Sequence, residues 1–194
     1  MTIISPRDII VNRKYKIMEG SQMRDRIINT KLLPNQLGIF YLGQVGYILK
    51  YRDKYVLVDG YLSDYVDRNC CSEAVKWVRR YAPPMNPCDL DFIDFVFCTH
   101  AHFDHADPDT LAPLARVNKK AKFFMPRAIS ETVASYGVEK ERIFGLSDGE
   151  TAELCEGISA TAIRAAHEVF HQNADGEYEE MGYRFASIEE LFAP

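Results

Sequence analysis

The run Phe92-Ile93-Asp94-Phe95-Val96-Phe97-Cys98 constrains the fold of this chain more than any other stretch. A short, almost unbroken apolar run suits a central strand covered on both faces, not an edge strand with one wet side. Such a strand needs one layer of structure above it and another below. It runs directly into Thr99-His100-Ala101-His102-Phe103-Asp104-His105, so the most apolar segment of the chain ends at its densest cluster of ligand-type side chains.

The flanking pattern is that of an α/β protein with a mixed sheet. Leu37 to Leu42, Val45 to Tyr51 and Tyr55 to Asp59 are β-rich runs, broken by Gly43 and Gly46 and by the charged turn Arg52-Asp53-Lys54. They read as an antiparallel meander. Ala74, Val75, Trp77, Val78 and Tyr81 recur at helical spacing and are followed by Pro83-Pro84, which predicts a helix over 74–81 with Arg79 and Arg80 at its C-terminal end. Asp107-Pro108 reads as the N-cap and first position of a helix that Pro113 should shorten or kink. Lys122 to Met125 reads as a strand. Pro126 then opens a helix with Ile129, Val133 and Tyr136 inward and Gly137 as its stop. Residues 150–165 read as a hairpin turning at Glu156-Gly157, with its second arm ending just before His167. Residues 1–36 are mixed and polar, with one short helix expected around Gly20 to Ile28, and are taken as an N-terminal extension to a domain over 37–194.

Three of the five histidines fall within six residues, beside Asp104. Residues two apart in extended chain point the same way, so His100 and His102 can face one point, and the loop beyond can carry Asp104 and His105 toward a neighbouring one. Neutral imidazole is the commonest metal ligand, and a carboxylate offsets part of the cation's charge. The spacing therefore suits one divalent ion, or two adjacent ions that together activate water. Three histidines and a carboxylate accept Zn²⁺, Mn²⁺ or Fe²⁺.

Composition narrows the partners. A formal charge of −5 gives no basic field to gather nucleic acid, so a small-molecule substrate is expected. No segment approaches the ~20 apolar residues of a membrane span, and the start of the chain has no signal-peptide pattern. Cys70, Cys71, Cys88, Cys98 and Cys155 are odd in number and contain no CxxC, which reads as reduced thiols of a cytoplasmic protein.

His100-Ala101-His102-Phe103-Asp104-His105 matches the HxHxDH motif, and on that motif the chain resembles the metallo-β-lactamase superfamily. The stretches LGQVGYILKY, VLVDGYLSD, FCTHAHFDHADPDTL and SYGVEKERIFGLSDGE are similar to the L-ascorbate-6-phosphate lactonase family within it. The resemblance implies an αββα sandwich in which a metal-bound hydroxide attacks a lactone or ester of a sugar-like substrate or its phosphorylated form. Mn²⁺ is favoured, with Zn²⁺ next. It implies that His100 and His102 hold a first metal, that Asp104 and His105 hold a second or that Asp104 orients the attacking water, and that a third ligand to the first metal comes from a later strand end. His167 is the expected third ligand, with His171 as the alternative and more readily taken for a surface histidine. Asp59, which ends a strand in VLVDG, is expected either to support a ligating histidine or simply to bond local backbone; Gln44 is expected to be a turn residue. A phosphodiesterase or nuclease is a further alternative.

The family's Ser/Thr-Gly-Asp turn, with its bridging aspartate, and its final histidine have no counterpart after His171. The second metal position is therefore expected to be weak or empty, and the chain to carry only the N-terminal half to two-thirds of the sandwich. A catalytically silent metal-binding fragment, or one half of a split assembly, is the competing reading. An incomplete sandwich leaves an apolar sheet face and an open edge, so self-association or a covering partner chain is expected.

Overall fold

The structure is a computed structural model and describes residues 2–4 and 20–187. Seven strands lie in one sheet in chain order: β1 (Thr2–Ile4), β2 (Leu37–Tyr41), β3 (Tyr47–Tyr51), β4 (Lys54–Val58), β5 (Phe95–Phe97), β6 (Lys122–Pro126) and β7 (Ile143–Leu146). Strands β2, β3 and β4 form an antiparallel meander, and β4 through β7 run parallel. A second, antiparallel sheet contains β8 (Thr151–Cys155), β9 (Ile158–Arg164) and β10 (Met181–Ser187), in the order β10-β9-β8. The helices are α1 (Gly20–Asn29), α2 (Tyr65–Asn69), α3 (Pro108–Val117) and α4 (Ser130–Ser135).

Strand alternation divides the apolar side chains between two cores. Phe40, Ile48, Leu57, Val96 and Phe123 point to the helical side, where they meet Met23 and Ile27 of α1, Leu111 and Leu114 of α3, and Val133 of α4. Val56, Phe95, Phe97 and Phe124 point the other way and meet Leu154, Ala160, Ala162 and Met181 of the second sheet. Strand β5 is thus covered on both faces, as its unbroken apolar run requires. The architecture is helices on a seven-stranded sheet on a three-stranded sheet, the layering of a metallo-β-lactamase-type sandwich.

Helix α1 belongs to the first core. Besides Met23 and Ile27, it is tied down by the buried Lys50, whose ammonium donates to the carbonyls of Ile27, Ile28 and Thr30 at 3.0, 2.6 and 2.8 Å. These carbonyls, at and just past the last turn, have no helical partner of their own, and the dipole there favours a cation.

The expected helix over 74–81 is not formed. The segment is irregular, and Val75, Trp77, Val78 and Tyr81 are exposed. An eight-residue helix is marginal unless an apolar face docks on something, and nothing among the described residues covers this one. Local polar ties set its path instead. Val75 N donates to the Ser72 hydroxyl, Arg79 N donates to Asp67, and the Arg79 guanidinium donates to the carbonyls of Tyr61 and Ser63. Conversely, α3 runs unbroken through Pro113 for ten residues. Its missing hydrogen bond is offset by the Asp107 cap, which accepts from Asp109 N, Thr110 Oγ1 and Ser63 Oγ, and by the buried face of Leu111, Leu114 and Ala115.

Candidate metal centre

Strands β4 and β5 are parallel and adjacent, so the loops that follow them emerge at the same end of the sheet. Asp59 follows β4, and Thr99 to His105 follow β5. Strand β10 enters at this end too: Met181 N donates to Thr99 O at 2.9 Å, and the Tyr183 hydroxyl donates to Cys98 O at 2.9 Å. These two bonds link the second sheet to the histidine loop. The connection from β9 to β10 therefore passes the loop, and it carries His167.

His100, His102 and His167 each offer a ring nitrogen, and the three nitrogens lie within 4.8 Å of one another. His100 Nε2 and His102 Nδ1 are 3.0 Å apart. Two nitrogens bound to one tetrahedral cation at ~2.0–2.1 Å sit about 3.3 Å apart, so the pair needs only a few tenths of an ångström of adjustment to share an ion. Burial, followed by the neighbouring His105 and His102, lowers the His100 pKa to about 4, which keeps its ring neutral and its lone pair available at neutral pH.

One carboxylate positions this loop. Asp59 Oδ1 accepts from Thr99 N at 2.7 Å, and Oδ2 accepts from Thr99 Oγ1 at 2.8 Å and from His105 Nδ1 at 2.9 Å. The Thr99 hydroxyl has a single proton, and it goes to Asp59. Its oxygen must then accept from His100 Nδ1, 3.0 Å away, which leaves His100 Nε2 bare for a cation. By the same logic His105 Nδ1–H is committed to Asp59, and its Nε2 is free on the side of Asp104, 3.9 Å from that carboxylate. Burial lowers the His105 pKa, but the hydrogen bond and charge of Asp59, with Asp104 behind them, outweigh it and the net shift is upward. Support of a ligating ring by an outer carboxylate is the usual way such rings are oriented.

The backbone of Asp59 is itself specified. Its φ of 48° is left-handed, a region aspartate tolerates better than most residues. Gly46, at φ 92°, lies against it, and a Cβ there would come 2.3 Å from Asp59 O. The glycine of the β2–β3 loop is what lets that loop close onto the site.

Asp104 and His105 lie beside one another next to this cluster but are not among the three side chains whose ligand atoms converge. His171 is exposed and bonds Glu180 at 2.8 Å, apart from the three converging rings. Gln44 is an exposed turn residue at φ 52°. Thr99 and Tyr183 carry positioning roles that sequence reasoning missed. Thr99 was visible as the residue joining strand to motif; nothing local marked Tyr183.

Residues 55–192 match the family model described as the β-lactamase superfamily domain. The chain belongs to the β-lactamase superfamily. The match to this superfamily domain begins at β4 and includes every candidate ligand named above. An uncharacterized protein of Mycobacterium tuberculosis is 32% identical over 114 residues, covering 57% of this chain and 30% of its own length. A metal-dependent hydrolase of Roseiflexus is 38% identical over 76 residues, covering 39% of this chain and 29% of its own. Among solved structures, a possible metal-dependent hydrolase from Veillonella parvula superposes with a TM-score of 0.59 at 18% identity, covering 78% of this chain and 58% of that one. An isothiocyanate hydrolase from Delia radicum gut bacteria gives 0.57 at 20% identity, with 77% and 58% covered. This superfamily chain thus spans about 30% of the length of the curated relatives it matches and 58% of these two structures. No helix among its described residues is long and apolar enough to cross a membrane.

The geometry makes Thr99 testable apart from the ligands. Thr99→Val keeps the shape and the backbone bond to Asp59 but removes the hydroxyl between Asp59 and His100. Metal affinity should fall about 10–100-fold with the fold intact, measured by competition with a chromogenic chelator. An unchanged affinity would mean that the hydroxyl does not orient His100.

Proposed function

We propose that the chain is the metal-holding part of a hydrolase, in which His100, His102 and His167 hold one divalent cation, Mn²⁺ or Zn²⁺. The observation that carries this reading is the convergence of three imidazole nitrogens within 4.8 Å at one end of two packed sheets. The Roseiflexus relative named as a metal-dependent hydrolase supports it. A bound divalent cation supplies Lewis acidity toward a carbonyl oxygen and toward water. The chain's own residues do the rest. Asp59 and Thr99 hold the His100 and His105 rings in the tautomers that leave Nε2 bare, and Asp104 accepts a hydrogen bond from the attacking water and orients it. With His105, Asp104 also offers a second, weaker cation position.

The substrate we infer is a lactone or ester, with the sugar-like compound of the lactonase resemblance as the first choice. Phe103, packed on Tyr65, and the exposed Val169 and Phe170 put apolar surface on the loops at this end. Arg68 and Arg79, which follow β4 at the same end, are already engaged with Asp64, Asp109 and backbone carbonyls. An uncharged carbonyl compound suits such surroundings better than a polyanion, which places phosphodiester or nucleic-acid cleavage second and gives a phosphate on the sugar little support. A silent metal-binding fragment, or half of a split assembly, is the alternative favoured by the two-ligand second position.

The test is a hydrolysis screen on protein loaded with Mn²⁺ or Zn²⁺, using γ-lactones, p-nitrophenyl esters and bis(p-nitrophenyl) phosphate. Lactone or ester turnover that is lost on chelation and absent in His102→Ala is expected. Equal background rates for wild type and His102→Ala would leave the silent reading; turnover of the diester alone would transfer the assignment to phosphodiesterase.

A further inference from the structure

His167 does not sit on a strand. The β9–β10 hairpin is regular up to the pair Arg164–Met181 and the bond from Ala165 N to Glu180 O. It resumes where Glu179 N donates to His171 O and Gln172 bridges Tyr178. Between these points one arm carries residues 166–170 and the other arm carries nothing, since Glu179 and Glu180 are consecutive. Unpaired residues on one arm cannot stay in the ladder, so 166–170 leave it as an excursion. Glu168, at φ 73°, turns the chain between His167 and Val169.

The rings that converge are therefore held by unequal supports. His100 and His102 lie in a loop fixed by its own bonds. Asp59 and Thr99 set the His100 ring, and the amides of His105 and Ala106 both donate to His102 O at 2.8 Å. The excursion has no such ties. Residues 166–172 are all exposed, and among the described residues no hydrogen bond joins 166–170 to the histidine loop or the large sheet. Phe170 packs back on Tyr178, with ring centroids 5.8 Å apart, and so is anchored to the hairpin. Contact with the histidine loop runs through the His167 ring, 4.7 Å from that of His102 and 5.5 Å from that of His100. Ordering an exposed segment costs backbone entropy, and little burial here offsets it. Segments with few buried contacts and exposed backbone are those that open most readily.

We propose that the cation itself fixes this excursion: His100 and His102 form a preset half-site, and His167 is drawn onto the ion and carries 166–170 against the histidine loop. The inference rests on the metal reading given above and says how that centre is assembled. A ligand shifts an equilibrium between two forms only by its differential affinity for them. Here the differential is one imidazole donor, present in the closed form and absent in the open one. Closure ties the small sheet, which carries the third ring, to the large sheet, which carries the first two. It also sets Val169 and Phe170, 59% and 56% exposed, beside the centre. Metal loading thereby completes the apolar surface that a substrate meets.

The test is limited proteolysis of the 194-residue chain by glutamyl endopeptidase, followed by mass spectrometry, with and without Zn²⁺ or Mn²⁺. Glu168 is an exposed cleavage site inside the excursion, and Glu156, exposed in the turn between β8 and β9, is the internal control. Cleavage of a native chain follows the population of the open form. At a metal concentration about 100 times Kd, cleavage after Glu168 should slow about tenfold or more, and cleavage after Glu156 should not change. His167→Ala, loaded with the same metal, should lose the protection. Calorimetric titration of the metal into the same samples separates the two readings. If the metal binds and Glu168 is cut at the same rate, or is protected equally in His167→Ala, the recruitment is overturned and the metal centre stands. If no metal binds, the centre falls and the recruitment falls with it.

Discussion

His102→Ala should leave the protein folded and lower its affinity for Mn²⁺ or Zn²⁺ by more than about 100-fold. Loss of a residue that only orients a ligand already costs 10–100-fold, and loss of the ligand itself costs more. The ring of His102 lies 4.6 Å from that of His100 and 4.7 Å from that of His167, so its removal breaks both shorter contacts of the triangle. It is exposed, and little packing is lost with it. His167→Ala should behave alike, because each variant leaves only two of the three converging nitrogens for the cation. His171→Ala should do nothing, since that ring is committed to Glu180. Isothermal titration of the metal into each variant separates these outcomes. Binding by His167→Ala as tight as wild type would remove the third ligand and with it the hydrolase reading.

Phe97→Ala should be the most destabilising single truncation, at about 3–5 kcal/mol. Phe97 is fully buried at the C-terminal end of β5. Its ring stacks on Phe124 with centroids 4.9 Å apart and meets Tyr183 and Phe185 edge-on at 4.8 and 4.9 Å, so one side chain joins the middle of the large sheet to the edge strand of the small one. The cavity cannot close without moving β10, which is pinned to the histidine loop through Thr99 O and Cys98 O. A domain is usually stable by ~5–15 kcal/mol, so this variant should lie near its folding limit. Phe144 is the control. It also stacks on Phe124, at 5.1 Å, but is 38% exposed, and its truncation should cost well under half as much. Urea midpoints measured at constant slope give the comparison. A Phe97→Ala midpoint within error of Phe144→Ala would mean that the second sheet is not held through this ring.

Much of this architecture was legible because the signals were local. The meander and the hairpin over 150–165 follow from β-rich runs and glycine-bearing turns, and the strand before the motif from its unbroken apolar run, all of which depend on near neighbours in the chain. Helix formation over 74–81 was misjudged for the converse reason. Its spacing was correct, but a stripe of apolar side chains makes a short helix only when another surface receives it, and periodicity carries no information about the receiver. The contribution of α1 to the core was hidden similarly, since Met23 and Ile27 are buried by residues far along the chain and Lys50 looks like an ordinary strand cation until its three carbonyl partners are seen.

The sequence by itself determined the chemistry on offer: three imidazoles and a carboxylate at the end of a doubly covered strand, which physical chemistry ties to a divalent cation. Only the tertiary structure decided the assembly. It brought His167 to His100 and His102 and left His171 outside, and it made the Asp59 carboxylate the common support of two rings, of His105 directly and of His100 through Thr99. Among the described residues it left Tyr47, on the outer face of the meander, 45% exposed. The reason is the same in each case: a side chain's type is a property of its residue, whereas its partners are set by how sheets register and pack.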